Sequence, residues 1–286
     1  MLDYLSHGQH NHGNTMDTTV KSEKRSFVIL AMFACLAVSL GGCGCPWFAP
    51  PKQPPVQSAA YRSVQVGKSV GGRAIRMYIF GHSGPMTFIF AGIHGNEPSS
   101  EFVALHLIEH LLGHESVYKF SRVAVLPSAN PDGLLAGTRV NANAVDCNRN
   151  FPAANWKPKS HAARYSPGKA PASEPETRAL LKAIGILKPD AIVSIHSTST
   201  FDPCNNYDGP AEEFAKLMAR HNGYPPKASV GYPTPGSFGT WAGVERKIPT
   251  ITLELPHKDS GQKVWPGNRD ALLALIAAVS ARKSDQ

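Results

Sequence analysis

Short apolar runs alternate with amphipathic stretches from residue 74 onward, and this alternation restricts the possible folds more than any other feature. Residues 74–80, 87–91, 122–127, 191–196 and 250–255 have the length and composition of strands. Residues 99–112, 211–222 and 269–281 carry apolar side chains at helical spacing. Ser173-Glu174-Pro175-Glu176 predicts a capping box opening another helix that runs to Leu187. Asn130-Pro131-Asp132-Gly133 predicts a turn that closes the third strand. The pattern predicts an α/β domain, with a mixed, largely parallel central sheet and helices on both faces. Ligands of such sheets gather beyond the carboxyl ends of the strands. His94, His196 and Glu254 all fall at or just past strand ends.

Composition narrows the alternatives. A hydrophobic share of 42% supports a sizeable core and excludes wholesale disorder. A charged share of only 17%, with no internal period, excludes a coiled coil or a helical repeat array. The 5 cysteines are scattered and contain no CxxC pair, so neither a disulfide scaffold nor a structural zinc knuckle is expected. A bridge between Cys147 and Cys204 is left open. The net charge of +8 is spread along the chain, without an arginine-rich arm or an aromatic-interleaved RNA motif. It predicts no nucleic-acid partner, and suits either ordinary solubility or a preference for carboxylate-rich substrates.

The N-terminal region reads as targeting sequence. Residues 27–40 are apolar and uncharged and follow Lys21, Lys24 and Arg25, the layout of a secretory signal peptide. The run falls short of the roughly 20 residues that a membrane span needs. Leu40-Gly41-Gly42-Cys43 resembles a bacterial lipoprotein cleavage site, which implies removal of residues 1–42 and a lipid anchor on Cys43. Gly44 is not the Asp associated with inner-membrane retention. The competing expectation is an uncleaved N-terminal membrane anchor, since residues 26–50 carry no charge; Met16 is an alternative start. Either way the remainder is expected in the cell envelope, facing the periplasm. Residues 43–60 form a Pro-rich tether, and residues 61–286 a single catalytic domain. The oligomeric state is not legible in the sequence.

The chemistry-bearing residues fall into one set. His94-Gly95-Asn96-Glu97 offers an imidazole and a carboxylate three residues apart in a loop, and His196 is the natural third ligand for a catalytic zinc with one open position. Glu254 sits near the end of an apolar strand, where an unpaired charge is costly; activating water as a general base gives it a role, and a buried ion pair is the alternative. The polar, Asn-rich stretch 137–152 carries Arg139 and Arg149, whose planar donors suit carboxylates and oxyanions. A solvated loop held by its own side chains is the other reading.

HxxE, then an arginine, an Asn-Arg pair, a distant His-Ser and a Glu on a late strand occur here in that order. In this the chain resembles the zinc metallocarboxypeptidases. It is most similar to their bacterial murein peptide amidase branch, through residues 130–133, 137–156 (ending NRNFPAANW), 168–176 and 231–239. The resemblance implies a carboxypeptidase-like fold holding one zinc ion per chain on His94, Glu97 and His196. It implies Arg139 as the oxyanion donor, Asn148 and Arg149 as the clamp for a terminal carboxylate, and Glu254 as general base. Tyr232 is the candidate substrate-capping tyrosine. The implied substrates are murein peptides, or other small peptides with a free carboxylate, and the implied cut is the γ-D-Glu–meso-diaminopimelate amide. The murein amidases read HGDE and have Asp after the third ligand, where this chain has Asn96 and Ser197. A general metallocarboxypeptidase and an N-acyl amino acid deacylase of the aspartoacylase or succinylglutamate desuccinylase type are the alternative functions. His106, Glu109 and His110 match the HxxEH of inverted zinc proteases, but His106 and His110 lie opposite the apolar face of their helix and are expected to be solvated.

Overall fold

The computed structural model describes Pro54 and residues 60–282. The apolar run, the Cys43 lipidation site and nearly all of the proline-rich tether lie outside the described residues. Among the described residues no helix is long and apolar enough to cross a membrane.

Eight strands form one sheet: β1 (Arg62–Lys68), β2 (Ala74–Phe80), β3 (Met86–Ala91), β4 (Arg122–Leu126), β5 (Ala191–Thr198), β6 (Cys204–Asp208), β7 (Pro226–Lys227) and β8 (Thr250–Pro256). Their order is β1-β2-β4-β3-β5-β8-β6-β7. The centre, β4-β3-β5-β8, is parallel throughout. On the two flanks β2 runs antiparallel to β4 and β6 antiparallel to β8. Central parallel strands are covered on both faces and so are apolar without a break; every residue of β3 and β5 is buried.

Alternation along these strands divides the core in two. Ile89, Val193, Ile195, Ile251 and Leu253 face one layer, where α1 (Pro98–Gly113), α4 (Glu212–Asn222) and α5 (Gly261–Ala281) pack. Phe88, Phe90 and Ile192 face the other, covered by α3 (Pro175–Leu187), Phe151 and Phe238. Phe90 meets Phe238 edge-on, with ring centroids 4.8 Å apart. His196 and Glu254 belong to the second face by parity. They are neighbours in the β5–β8 register, so the sheet itself sets them side by side.

The structure departs from the sequence expectations in several places. Asn130-Pro131-Asp132-Gly133 is not a bare turn but the start of the short helix α2 (Pro131–Ala136); Asn130 Oδ1 accepts from the Gly133 N–H as its cap and Pro131 occupies the first turn. No capping box forms at Ser173. Its hydroxyl donates to the Glu174 carboxylate, and α3 begins at Pro175 with no side-chain cap. α5 begins eight residues before the expected 269, because Ser260 caps it and Pro266 is carried inside. Cys147 and Cys204 are both free and buried, so no bridge joins them. Cys147 packs with Phe151 beneath the sheet, while Cys204 lies in the β6–β8 ladder opposite Glu254. His106 and His110 are half-buried rather than solvated, stacked on Phe102 and His114.

Candidate metal centre and active site

The loop from β3 to α1 carries two of the chemical residues and is tightly held. The Ser100 hydroxyl donates to the Glu97 carbonyl and accepts from the Gly92 N–H. The Asn130 amide donates to the Ile93 carbonyl, and its N–H donates to the Gly92 carbonyl. Gly95 lies against Gly133, and a Cβ at Gly95 would collide with the Gly133 backbone. No rotamer relieves a collision with backbone. Gly95→Ala is therefore expected to destabilise the fold by about 1–3 kcal/mol and to reduce zinc content by displacing His94 and Glu97. Thermal unfolding and metal analysis read both effects, and a variant with wild-type zinc content would refute the link between this contact and the site.

His94, Glu97 and His196 come together as the sequence expects. Their candidate ligand atoms lie within 4.8 Å of one another, and this is the one such buried group among the described residues. His94 Nδ1 is 2.8 Å from Glu97 Oε1, His196 Nδ1 is 3.0 Å from Glu97 Oε2, and the two imidazole Nδ1 atoms are 3.1 Å apart. Three electron-pair donors crowd one point with exposures of 2%, 4% and 3%. Two imidazoles and a carboxylate are a zinc donor set, so the residues fit that ion. The imidazoles hold the Glu97 carboxyl well below its ordinary range, against burial, which acts to raise it.

Asp146, to which the sequence assigned no role, ties the site together. Its Oδ1 accepts from the Asn148 N–H at 2.9 Å and meets His94 Nε2 at 3.1 Å; its Oδ2 accepts from Arg139 Nε at 2.9 Å. A carboxylate on Nε2 fixes the proton there and leaves the Nδ1 lone pair for a metal. Burial acts to raise the Asp146 carboxyl, and the His94 and Arg139 charges overcome it and hold it low. One signal was available: Asp146 directly precedes the Cys147–Arg149 turn and caps it.

Asn148 and Arg149 ride on this turn. Asn148 Oδ1 accepts from the Phe238 N–H at 2.8 Å, and Arg149 donates to the Asn148 carbonyl. Asparagines pin the surrounding loop. Asn150 donates to the Pro167 and Ala170 carbonyls, and Asn141 donates to Glu174 and Glu176. The Asn-rich composition therefore serves the loop's own scaffold, while Arg139 and Arg149 both line the cavity. Ser197 holds Glu97 through its N–H, at 3.1 Å, a contact that does not depend on the side chain. The Ser197 hydroxyl pairs with His257 Nδ1 instead. Asn96 lines the cavity, and its Oδ1 is buried without a partner.

All the sequence-predicted residues of the domain line one cavity: the three ligand candidates, Arg139, Asn148, Arg149, Glu254 and Tyr232. Tyr232 stands at the rim, 43% exposed, with Phe201 6.5 Å away between ring centroids. Burial pushes the Glu254 carboxyl up to about 7; the Glu97 carboxylate adds to the rise, and His196 and Arg139 oppose it. The same cavity holds Asp208, which sequence reasoning missed. It lies four residue pairs along the β6–β8 ladder from Glu254, against Gly239 and Gly243. Burial raises its carboxyl to about 6.

The zinc carboxypeptidase family pattern matches residues 57–202. Murein peptide amidase A of Escherichia coli strain K12 is 38% identical over 180 residues, spanning 59% of this chain and 70% of that one. This chain belongs to the zinc carboxypeptidase family. Murein peptide amidase A of Vibrio campbellii is 36% identical over 200 residues, covering 66% of this chain and 76% of that protein. The crystal structure of a murein-tripeptide amidase from Escherichia coli O157 superposes with a TM-score of 0.63 at 32% identity, covering 80% of this chain and 98% of that one. Carboxypeptidase A of Helicoverpa armigera shares the fold, with a TM-score of 0.66 at 18% identity over 79% of this chain and 70% of that one. The chain is thus a metallopeptidase of a zinc-dependent family, and His94, Glu97 and His196 are where its fold can hold the ion.

Proposed function

We propose that this protein is an exported, lipid-anchored zinc amidase that hydrolyses the γ-D-Glu–meso-diaminopimelate bond of murein peptides in the cell envelope. Its relatives named murein peptide amidase support the substrate class. The observation that carries the reading is that one cavity is lined by both the cation Arg149 and the acid Asp208. Diaminopimelate presents carboxylates and a side-chain ammonium together. Among the described residues no cation pairs with Asp208, and burial is the cause of its raised carboxyl; a substrate ammonium would supply the missing charge. The Leu40-Gly41-Gly42-Cys43 sequence supports the anchor at Cys43.

His94, Glu97 and His196 would hold one zinc ion per chain, which would supply a Lewis acid for the scissile carbonyl and the attacking water when bound. Glu254 takes a proton from the attacking water and returns it to the leaving amine; a carboxyl with its proton affinity near neutrality can do both. Arg139, oriented by Asp146, faces the developing oxyanion. Asn148 and Arg149 bind the terminal carboxylate of the leaving residue, and Tyr232 covers it from the rim.

The test is incubation of the zinc-loaded protein with L-Ala-γ-D-Glu-meso-diaminopimelate, with and without a chelator, followed by mass spectrometry. Release of free diaminopimelate, abolished by the chelator, is the expected result. Cleavage only of ordinary C-terminal peptides or N-acyl amino acids would overturn the murein reading.

A further inference from the structure

The cavity holds more positive charge than the reaction above uses. Three guanidinium groups surround Tyr165: Arg164, Arg139 and Arg149 lie 5.0, 5.2 and 5.5 Å from its ring centroid. All four residues line the catalytic cavity. Arg139 is answered by Asp146 and Glu97, and Arg149 has the terminal carboxylate as its assigned ligand. Arg164 has neither. Among the described residues no carboxylate pairs with it, and its contact is the face of Tyr165.

Its side chain is exposed, but the backbone that carries it is tied down. The Ala163–Tyr165 turn is closed by the Ser166 N–H donating to the Ala163 carbonyl at 3.0 Å, and the Ser166 carbonyl accepts from the Asp146 N–H at 2.9 Å. The turn that carries Arg164 is thereby tied to the residue that orients His94 and Arg139. A second pocket of about 450 Å³ adjoins, sharing Arg149, Tyr165 and Tyr232 with the catalytic cavity. It adds Lys157, Lys159 and His161, and no Asp or Glu lines it. This side of the cavity is cationic, in contrast to the Asp208 end.

We propose that Arg164 is a specificity-determining residue that binds a second carboxylate of the substrate, beyond the terminal one taken by Arg149. The cavity would then select peptides with several carboxylates, an inference that rests on the murein reading for its substrate. The Arg164 guanidinium lies 5.0 Å from the Tyr165 ring centroid, and among the described residues no carboxylate pairs with it, so its N–H groups are available to a substrate carboxylate. L-Ala-γ-D-Glu-meso-diaminopimelate offers two candidates. The γ linkage leaves the glutamyl α-carboxylate free, and the far carboxylate of diaminopimelate is free as well.

The experiment measures binding of three peptides by calorimetry: the tripeptide, its glutamyl α-amide and its mono-amide at the far diaminopimelate carboxyl. The zinc-loaded full chain carries Glu254→Gln so that peptide is not consumed, and each titration is repeated with Arg164→Gln and Arg164→Lys added. The expected result is that one mono-amide binds about tenfold more weakly than the tripeptide, the scale of one charge-assisted hydrogen bond. Arg164→Gln erases that difference without weakening the same mono-amide, and Arg164→Lys keeps part of it. Equal loss on all three peptides, no loss on any, or absence of binding overturns the assignment. Turnover by the wild-type chain reads the murein assignment separately, so a peptide that binds through Arg164 but is not cut condemns only the reaction.

Discussion

Glu254→Gln is expected to retain its zinc and lose turnover by about 10²–10⁴-fold or more, the scale of general acid–base catalysis. Glutamine preserves the shape of the side chain and removes its capacity to take a proton from water. The ligand set is untouched, since His94, Glu97 and His196 draw their hydrogen bonds from one another, from Asp146 and from the Ser197 N–H. Metal content per chain should therefore match the wild type while kcat collapses. The contrast with loss of a ligand is what makes the measurement decisive: His196→Ala would lower both together. A Glu254→Gln variant with kcat within a few-fold of wild type would remove Glu254 from its role and leave it only as a neighbour of His196 in the sheet.

Asp146→Ala should be the substitution outside the ligand set that most damages folding and zinc affinity. Asp146 is wholly buried, and its carboxylate answers Arg139, His94 and the Asn148 N–H at once. Its removal leaves Arg139 with only the more distant Glu97 carboxylate, at 3.5 Å, and is expected to cost up to about 3–5 kcal/mol, the scale of breaking a buried charge pair. The same change frees the proton of His94 to move to Nδ1, and loss of such an outer partner typically lowers metal affinity about 10–100-fold. Denaturant unfolding and zinc competition against a chelator measure the two losses. Asp146→Asn, which keeps an acceptor for His94 or Asn148 but not the charge opposite Arg139, should fall between. Native zinc affinity in the alanine variant would mean that His94 is oriented by the Glu97 contact alone.

The two largest effects thus fall on residues of very different visibility in the sequence. Glu254 was legible because a carboxylate at the end of an apolar strand is costly without a purpose, and it sits beside His196 as strand periodicity allows. Asp146 was not. One acid among the polar residues of a loop carries no periodic signal, and its partners are 52 and 7 residues away. Asp208 was hidden for a related reason. It closes β6, whose sequence CNNYD has the composition of a loop and becomes a strand by pairing with β8. β1 and β7 were missed likewise, as edge elements whose extended state is set by a neighbour.

Local chemistry read from the chain was sound where one physical rule dominated. Continuous apolar runs placed the parallel centre of the sheet, since only strands covered on both faces can be apolar throughout. It was incomplete where two rules shared a signal. Asn-Pro-Asp-Gly starts a turn and starts a helix with the same residues, and the contacts of α2 with the β3–α1 loop select the helix. Pro266 and Gly267 lie inside α5, whose first turns tolerate them because Ser260 caps the helix and Val264 and Leu272 bury in the core.

By itself the sequence determined the fold class, the His94–Glu97 pair and the arginine-bearing loop, because each depends on residue type and on spacing along one element, and it offered His196 and Glu254 as candidates at strand ends. The tertiary structure alone decided the rest: Asp146 as the hub, Asp208 and Arg164 at the ends of one cavity, and two free cysteines where a bridge was open. Those are relations between distant segments, and their energy comes from burial and charge compensation that exist only once the sheet has brought the segments together.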